Sequence, residues 1–528
     1  MTSTIYDVAI NNARIIDGTG SPAIHGSIGV RDGKISAIST TSDVSGALMG
    51  TTTIDAKGHV LSPGFIDLHS HADFSLGASP AALTQISQGV TTLLTGNCGT
   101  SPFPVRDLEA LQGATSFMRP ALDWSWTDGQ GFAQALQASG PAINAALQVG
   151  HSALRIAAMG TAKRAPSPEE LTRMQELLGE AAEQGARGYS TGLIYAPCSY
   201  AEAAEVTAMA QTAADCGLLY STHIRNETDN VLAAVTEAIT VARETGVRLE
   251  ISHIKAMGPR NHGKVREALA LLAAARENGV DVTTDVYPYT ASSTTLTSRL
   301  PDWSLDGGGA ALLGRLADPA QRRRIAAALA QRFDGEIDPA GIVLADMPEG
   351  EYTPWIGRSL ADIAEGTSTT AHEAVLDVLA AHQGSVAIIN HAMDDGDVQA
   401  ALADSYVSIA SDGWVMTESG TGTPHPRSFG TFTRVLGHYV RELGTLPLAE
   451  AVRKMTSLPA SRAGLTDRGQ IKEGLVADLA IFDPETVADC STYLQPWQLS
   501  VGVSHVLVGG QLAFADHRQS NIRNGRIL

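Results

Sequence analysis

A short apolar run that ends in two histidines places the strongest constraint on how this chain folds. Residues 65–68 (FIDL) have the composition of a short buried strand, and His69, Ser70 and His71 follow them. Residues i and i+2 of an extended backbone point to the same side, so the two imidazoles converge where the strand ends. Metal sites need this geometry. In isolation the pattern equally fits a core histidine beside a solvated one, so the rest of the chain has to decide.

The middle of the chain alternates strand-like and helix-like segments at the spacing of βα units. Repeated units of this kind predict a parallel sheet, and about eight of them predict a closed barrel. A helix over residues 448–455 would close it. The candidate strands outnumber the eight places, so one of them lies outside the barrel. The candidates are residues 65–68, 89–95, 143–149, 187–191, 218–222, 247–252, 280–286, 386–390 and 406–410.

Both ends of the chain are strand-like. Near the N-terminus, the turn RDGK at residues 31–34 separates two short alternating segments, which is typical of a β-hairpin. Residues 477–482 and 503–508 repeat this character near the C-terminus. Because chain termini often lie close together, we predict one small β-sandwich built from residues 1–62 and 467–528.

The alternation of strands and helices stops between residues 294 and 370. This stretch contains the run Gly307-Gly308-Gly309 and a basic helix around Arg322-Arg323-Arg324, which is typical of a solvated helix face. We interpret it as an insertion that caps the mouth of the barrel. The predicted fold is therefore α/β: a (β/α)8 barrel of the TIM type over residues 63–466, the sandwich, and this inserted cap or lid.

Composition excludes several classes of protein. The net charge of −19 argues against nucleic acid or an anionic membrane as a partner, because both attract basic surfaces. No apolar run reaches membrane-spanning length, and the first residues lack a signal-peptide pattern. The four cysteines form no CxxC pair, so a disulfide framework is not expected. We therefore predict a cytoplasmic protein.

Six chemically capable side chains fall at or just past the predicted carboxyl ends of strands, where barrel enzymes place their chemistry. Each alone has an ordinary structural explanation, but their coincidence on one face favours a site. A thiolate with two imidazoles is a three-ligand set for Zn²⁺ that leaves a position for water, and a nearby aspartate can move the proton of that water. The six are His69, His71, Cys98, His223, His253 and Asp412.

Several motifs carry a resemblance to a known family. PGFIDLHSHAD resembles the amidohydrolase superfamily, whose members hydrolyse amide or ester bonds on a metal-loaded (β/α)8 barrel with a β-sandwich from both termini. More narrowly, TGNCG, STHIRNE, EISHIKAMGP and ASDGW look like the N-acyl-D-amino-acid deacylases, or D-aminoacylases. The resemblance runs from the N-terminal strands to the C-terminus and is weakest in the insertion.

The resemblance implies roles for the metal ligands. Cys98, His223 and His253 match the tight zinc ligands of the deacylases, whereas His69 and His71 with Asp412 resemble a second, weaker metal position. Many amidohydrolases bridge two metals with a lysine from the fourth strand. Here that strand reads ARGYSTGLIY and has no lysine, which fits the subfamily in which the cysteine bridges. Asp412 would be the general acid and base.

The resemblance also implies a substrate clamp. Lys255, Tyr195, Tyr287 and Ser292 match positions that hold the α-carboxylate of the substrate, and a cation beside hydroxyl groups suits a carboxylate. Arg427, in the motif HPRSFG, either lines the pocket or has a structural role.

The function implied is zinc-dependent hydrolysis of a small molecule, an N-acyl-D-amino acid, to a carboxylate and a free D-amino acid. Residues 294–301 offer one cation, Arg299, so we expect neutral or apolar side chains such as those of D-Met, D-Leu, D-Phe or D-Val. One alternative is a related amidohydrolase acting on an N-carbamoyl or dipeptide substrate. Another is a non-catalytic scaffold, but that predicts lost ligands and this chain keeps all six.

Overall fold

The structure is a computed structural model that describes residues 5–40, 47–118, 121–516 and 518–528. Its strands are β1 (Ile5–Ile15), β2 (Ile24–Arg31), β3 (Lys34–Ser39), β4 (Met49–Asp55), β5 (Val60–Pro63), β6 (Phe65–Asp67), β7 (Val90–Thr95), β8 (Asn144–Gly150), β9 (Gly188–Gly192), β10 (Leu219–His223), β11 (Arg248–Ile251), β12 (Val282–Val286), β13 (Ala291–Thr295), β14 (Ile342–Asp346), β15 (Ala387–His391), β16 (Val407–Ile409), β17 (Leu479–Phe482), β18 (Val503–Val508), β19 (Gln511–Ala515) and β20 (Arg518–Gln519).

In the described residues, sixteen α-helices accompany these strands. They are α1 (Leu83–Ile86), α2 (Leu108–Thr115), α3 (Gly129–Ala138), α4 (His151–Met159), α5 (Pro168–Glu183), α6 (Ala203–Asp215), α7 (Val231–Thr245), α8 (Lys264–Glu277), α9 (Gly308–Ala317), α10 (Pro319–Phe333), α11 (Leu360–Gly366), α12 (Ala371–Ala381), α13 (Asp395–Ala403), α14 (Arg427–Arg434), α15 (Leu448–Met455) and α16 (Ser457–Arg462). Among the described residues, no helix is both long and apolar enough to cross a membrane.

Eight parallel strands form the barrel in the order β6, β7, β8, β9, β10, β11, β12 and β16. Their residues are almost all buried, because helices cover the outside of a parallel sheet while side chains fill the inside. Backbone bonds join the first strand to the last: Asp412 N–H donates to the His69 carbonyl and His71 N–H donates to the Gly413 carbonyl, both at 2.8 Å. The (β/α)8 prediction is confirmed, and the closure places His69 and His71 beside Asp412.

One of the nine candidate strands does not belong to the barrel, so its predicted place there was wrong. Residues 387–390 of the candidate strand 386–390 lie in β15, which pairs antiparallel with β13 and β14 in a separate three-stranded sheet. A buried strand has the same apolar run in either sheet, so the sequence pattern alone does not separate the two placements. This inserted unit has its own core, which includes Leu296, Leu329, Leu344 and Leu376. It extends beyond the predicted residues 294–370 on both sides.

Strands from both ends of the chain form one sheet. β5 pairs antiparallel with β17, with Leu61 opposite Ile481, and so joins the N-terminal strands to the C-terminal ones. The predicted hairpin is present: β2 and β3 are joined by Asp32 and Gly33, with φ of +51° and +74°. Two residues with positive φ give the turn whose twist matches that of the paired strands, and Asp-Gly is a favoured sequence for it.

The start of α5 illustrates how local sequence sets an element. Ser167 accepts a hydrogen bond from Glu170 N–H, while the Glu170 carboxylate accepts one from Ser167 N–H, and Pro168 occupies the first helical position. This capping box satisfies backbone donors that a helix start otherwise leaves free. The boundaries of α15 agree with the helix predicted over residues 448–455.

Phe65 connects the barrel with its neighbours, and this generates a stability prediction. Its ring stacks on Phe432 at 5.7 Å between centroids and lies 6.1 Å from Phe482 of the terminal sheet; all three are buried. We expect Phe65→Ala to lower the free energy of unfolding by about 3–5 kcal/mol, because the lost contacts leave a cavity. Urea denaturation followed by circular dichroism measures this. Leu494→Ala, at a side chain that is 93% exposed, is the control and should change little.

Candidate metal centre

Three of the predicted histidine ligands surround the sulfur atom of the fourth ligand, Cys98, at the carboxyl end of the barrel. Cys98 follows β7, His223 ends β10, and His253 and His69 follow β11 and β6. Cys98 Sγ lies 3.3 Å from His69 Nε2, 3.7 Å from His223 Nδ1 and 3.4 Å from His253 Nε2. All four side chains are buried.

Asp412 completes the cluster from the last barrel strand. Its Oδ1 lies 3.3 Å from His69 Nε2 and 3.1 Å from His71 Nε2. Ligand atoms of His69, Cys98, His253 and Asp412 all lie within 4.8 Å of one another. The structure therefore brings together all six strand-end side chains that the sequence singled out.

Three of these residues have a left-handed backbone that is unusual outside glycine. The φ angles of Cys98, His253 and Asp412 are +54°, +36° and +51°. A non-glycine residue in this region costs on the order of 1–3 kcal/mol, and such residues cluster at functional sites. Hydrogen bonds hold the turns in place, since Asp285 accepts from His253 N–H at 2.8 Å and Asp412 N–H is bound to the His69 carbonyl.

The donor set and its spacing fit a zinc ion. Zinc bonds of about 2.3 Å to sulfur and 2.0–2.1 Å to nitrogen give sulfur–nitrogen edges of about 3.5 Å in a tetrahedron. The distances from Cys98 to His223 and His253 agree with this value. Burial raises the pKa of Cys98, but His69 and His253 more than offset this and hold the pKa well below its usual range, which favours the thiolate form. Thiolate and imidazole donors suit zinc.

Neighbouring charges lower the pKa of Asp412 in a similar way. Burial raises its pKa, but Arg427 and His69 more than offset this and hold the pKa well below its usual range. Arg427 Nη1 donates to Asp412 Oδ2 at 2.6 Å, and its Nη2 donates to the Ser293 carbonyl. Arg427 also lines the cavity above the cluster. The two roles that the sequence left open for it are therefore compatible.

Glu227 belongs to the site, and sequence reasoning missed it. Its carboxylate lies 3.3 Å from both His223 Nε2 and His253 Nδ1, and it accepts from Lys255 Nζ at 2.6 Å. Carboxylates in this position orient metal-binding histidines and increase their basicity. The signal was an acidic residue four positions after His223, in the motif STHIRNE.

Asp285 was missed as well. It lies 3.3 Å from His69 Nδ1, on the side of the ring away from Cys98, and also binds the backbone of His253. It is 1% exposed. A charged residue within the otherwise uncharged strand β12 was the available signal.

The predicted clamp residues line one cavity of about 540 Å³ above the cluster. Lys255 Nζ lies 5.5 Å from the centre of the Tyr287 ring and 2.7 Å from His253 Nδ1. Tyr195 shares a hydrogen bond of 2.9 Å with Thr294, and Ser292 Oγ lies 3.9 Å from Met257 Sδ. The structure thus brings Lys255, Tyr195, Tyr287 and Ser292 to the same cavity as the ligands.

Comparison with known proteins decides the family. The model of the amidohydrolase family matches residues 52–514, which is most of the chain. The chain belongs to the amidohydrolase family. The resemblance seen in the sequence motifs is confirmed.

Three relatives that match nearly the whole chain are an N-acyl-D-glutamate deacylase, a D-aminoacylase and an N-acyl-D-aspartate deacylase. The chain is 38% identical over 524 residues to an N-acyl-D-glutamate deacylase of Alcaligenes xylosoxydans xylosoxydans, covering 99% of this chain and 96% of the relative. A D-aminoacylase of the same organism is 36% identical, with 99% and 97% covered. The solved N-acyl-D-glutamate deacylase of Bordetella bronchiseptica, complexed with zinc and a phosphonate mimic of the tetrahedral intermediate, is 36% identical with a TM-score of 0.86, covering 99% of this chain and 100% of that one.

The contacts of Glu227 predict an effect on metal affinity. Glu227→Gln removes the negative charge that faces two ligand histidines, and we expect zinc to bind about 10- to 100-fold more weakly. Competition with a chromophoric chelator measures the affinity. Glu237→Gln is the matched control, because Glu237 binds Arg225 rather than a histidine. Equal zinc affinity in the wild type and Glu227→Gln would contradict the role.

Proposed function

We propose that this amidohydrolase uses zinc to hydrolyse N-acyl-D-amino acids to a carboxylate and a free D-amino acid. The observation that carries the proposal is the cluster of Cys98, four histidines and Asp412, of which all but His71 are buried, in a chain whose full-length relatives include an N-acyl-D-glutamate deacylase and a D-aminoacylase. The D configuration of the proposed substrate is inferred from those relatives.

Cys98, His223 and His253 would hold the tightly bound zinc, and His69, His71 and Asp412 a second, weaker ion. A bound zinc ion polarises the acyl carbonyl and lowers the pKa of water. Asp412 accepts the proton of the attacking water and then delivers it to the departing amine. Arg427 holds one oxygen of this carboxylate, which leaves Oδ1 directed at the histidines.

The cavity supports binding of an amino-acid carboxylate. Lys255 is buried beside the metal cluster, and hydroxyl groups of Tyr195, Tyr287 and Ser292 line the same cavity. An ammonium group with neighbouring hydroxyl donors forms charge-assisted hydrogen bonds to a carboxylate. Lys255 is held by Glu227, which links the clamp to the ligand histidines.

Arg299 favours an acidic side chain, contrary to the expectation of neutral or apolar substrates. It is 5% exposed and lines the cavity, and its Nε and Nη2 both donate to Ser298 Oγ. Within the part of the chain that the structure describes, it forms no ion pair. Burial lowers its pKa to about 10, so it stays charged near neutrality. A buried cation without a carboxylate partner favours a substrate that supplies one.

The reaction class is tested with N-acetyl-D- and N-acetyl-L-amino acids on zinc-loaded enzyme. We expect cleavage of the D-forms alone. Asp412→Asn should lower kcat by about 10²–10⁴-fold while tightly bound zinc is retained, because the proton carrier is lost. Chiral chromatography of the product and metal analysis provide the measurements. Cleavage of the L-forms, or of N-carbamoyl or dipeptide substrates in preference, would contradict the proposal.

The side-chain class is tested by comparing N-acetyl-D-glutamate and N-acetyl-D-aspartate with N-acetyl-D-methionine. We expect higher kcat/KM for an acidic substrate. Arg299→Gln should lower that value on the order of 10²-fold or more, because a buried ion pair is lost. Arg323→Gln, at an exposed position of the same inserted unit, is the control. A preference for N-acetyl-D-methionine that Arg299→Gln leaves unchanged would instead support substrates with neutral or apolar side chains.

A further inference from the structure

Two helices to which the proposed function assigns no role also line the cavity above the metal cluster. α2 follows β7 of the barrel, and α9 belongs to the inserted unit. The two helices pack against each other, and both line the cavity. The part of the cavity that α2 and α9 line, here called its outer half, is therefore built from two separate parts of the chain.

The cavity is larger than an acetylated amino acid requires. Its volume of about 540 Å³ lies within the range of pockets that enclose drug-sized ligands. An N-acetyl amino acid has roughly a dozen non-hydrogen atoms, which is well below that size. Another part of the natural substrate can thus occupy the remainder.

Apolar side chains predominate in the outer half of the cavity. α2 contributes Ala110, Leu111 and Ala114 to its lining, and α9 contributes Ala310, Leu312 and Leu313, while the carboxylates of Asp107 and Glu109 lie at the start of α2. The charged groups that suit the amino-acid part, Lys255, Arg299 and Arg427, come from other elements. An apolar lining favours an alkyl chain, since burying each methylene contributes about 0.8 kcal/mol.

The position of the outer half relative to the cluster indicates which part of the substrate reaches it. Lys255 and Arg299 account for the α-carboxylate and the side chain. The acyl group lies across the scissile bond from both. Thr100 and Ser152, which line the cavity, lie close to Cys98 along the chain or across it: Ser152 N–H donates to the Gly99 carbonyl, and Ser152 is the second residue of α4, the helix that packs against α2.

We propose that the space between α2 and α9 is an acyl channel, and that the preferred substrates are N-acyl-D-amino acids with medium or long alkyl chains rather than N-acetyl compounds. The inference rests on the proposed function and specifies the acyl group of the substrate. The chemistry is unchanged: the amide C–N bond breaks, the hydroxyl of water joins the acyl carbon, and the nitrogen takes a proton. The products are a fatty acid and a free amino acid.

A series of acyl groups from acetyl to decanoyl on one D-amino acid tests the channel. We expect kcat/KM to rise on the order of 10²-fold from acetyl to octanoyl, because the added methylenes are buried in part. A value that is flat or falls with chain length would overturn the channel but leave the proposed function standing. Failure to cleave any member of the series would overturn both.

Two glycines allow the channel to be filled without strain. Gly113 in α2 and Gly309 in α9 line the cavity, have no positive φ, and have no atom within 4 Å of an added Cβ. Gly113→Phe and Gly309→Phe should each lower the octanoyl-to-acetyl ratio of kcat/KM at least tenfold. Gly179→Phe is the matched control: Gly179 is also helical, with the same open space, but lies on α5. An unchanged ratio in both channel variants would refute the channel.

Discussion

The Cys98 thiolate among three imidazole nitrogens is the interaction on which the rest of the structure depends. An isolated charge in the interior of a protein is costly, so a buried thiolate persists because protonated or metal-bound partners face it. The barrel provides those partners by ending separate strands at one face. Cys98, His253 and Asp412 then adopt a left-handed backbone, and this strain is tolerated because the surrounding sheet and hydrogen bonds fix the turns.

The partners of the ligands form a second connected layer. Glu227 contacts His223 and His253, Asp285 contacts His69, and Arg427 contacts Asp412. Most ligands therefore have a buried group of suitable charge on the side away from the cluster. Lys255 shares Glu227 with the histidines, so the group that would bind the substrate carboxylate and the groups that would bind the metal are electrostatically coupled.

The sequence predicts the ligands better than their partners. His69, His71 and Cys98 lie close to strand ends that periodicity locates, so their convergence follows from the barrel. The sequence analysis did not identify Glu227 and Asp285, because their importance depends on contacts between segments far apart in the chain. A local pattern does not encode such contacts. The wrong placement of residues 386–390 in the barrel has a similar cause, since the apolar pattern of a strand does not indicate which sheet the strand joins.

The inserted unit and the barrel divide the chemistry between them. The metal cluster belongs to the barrel, whereas Ser292 and Thr294 of β13, together with Arg299 and α9, belong to the unit that contains its own core. Substitutions in that unit can alter the walls of the cavity without moving a ligand. This division gives a physical reason why relatives with nearly the same length and fold have names that specify different substrates, glutamate in one and D-amino acids generally in another.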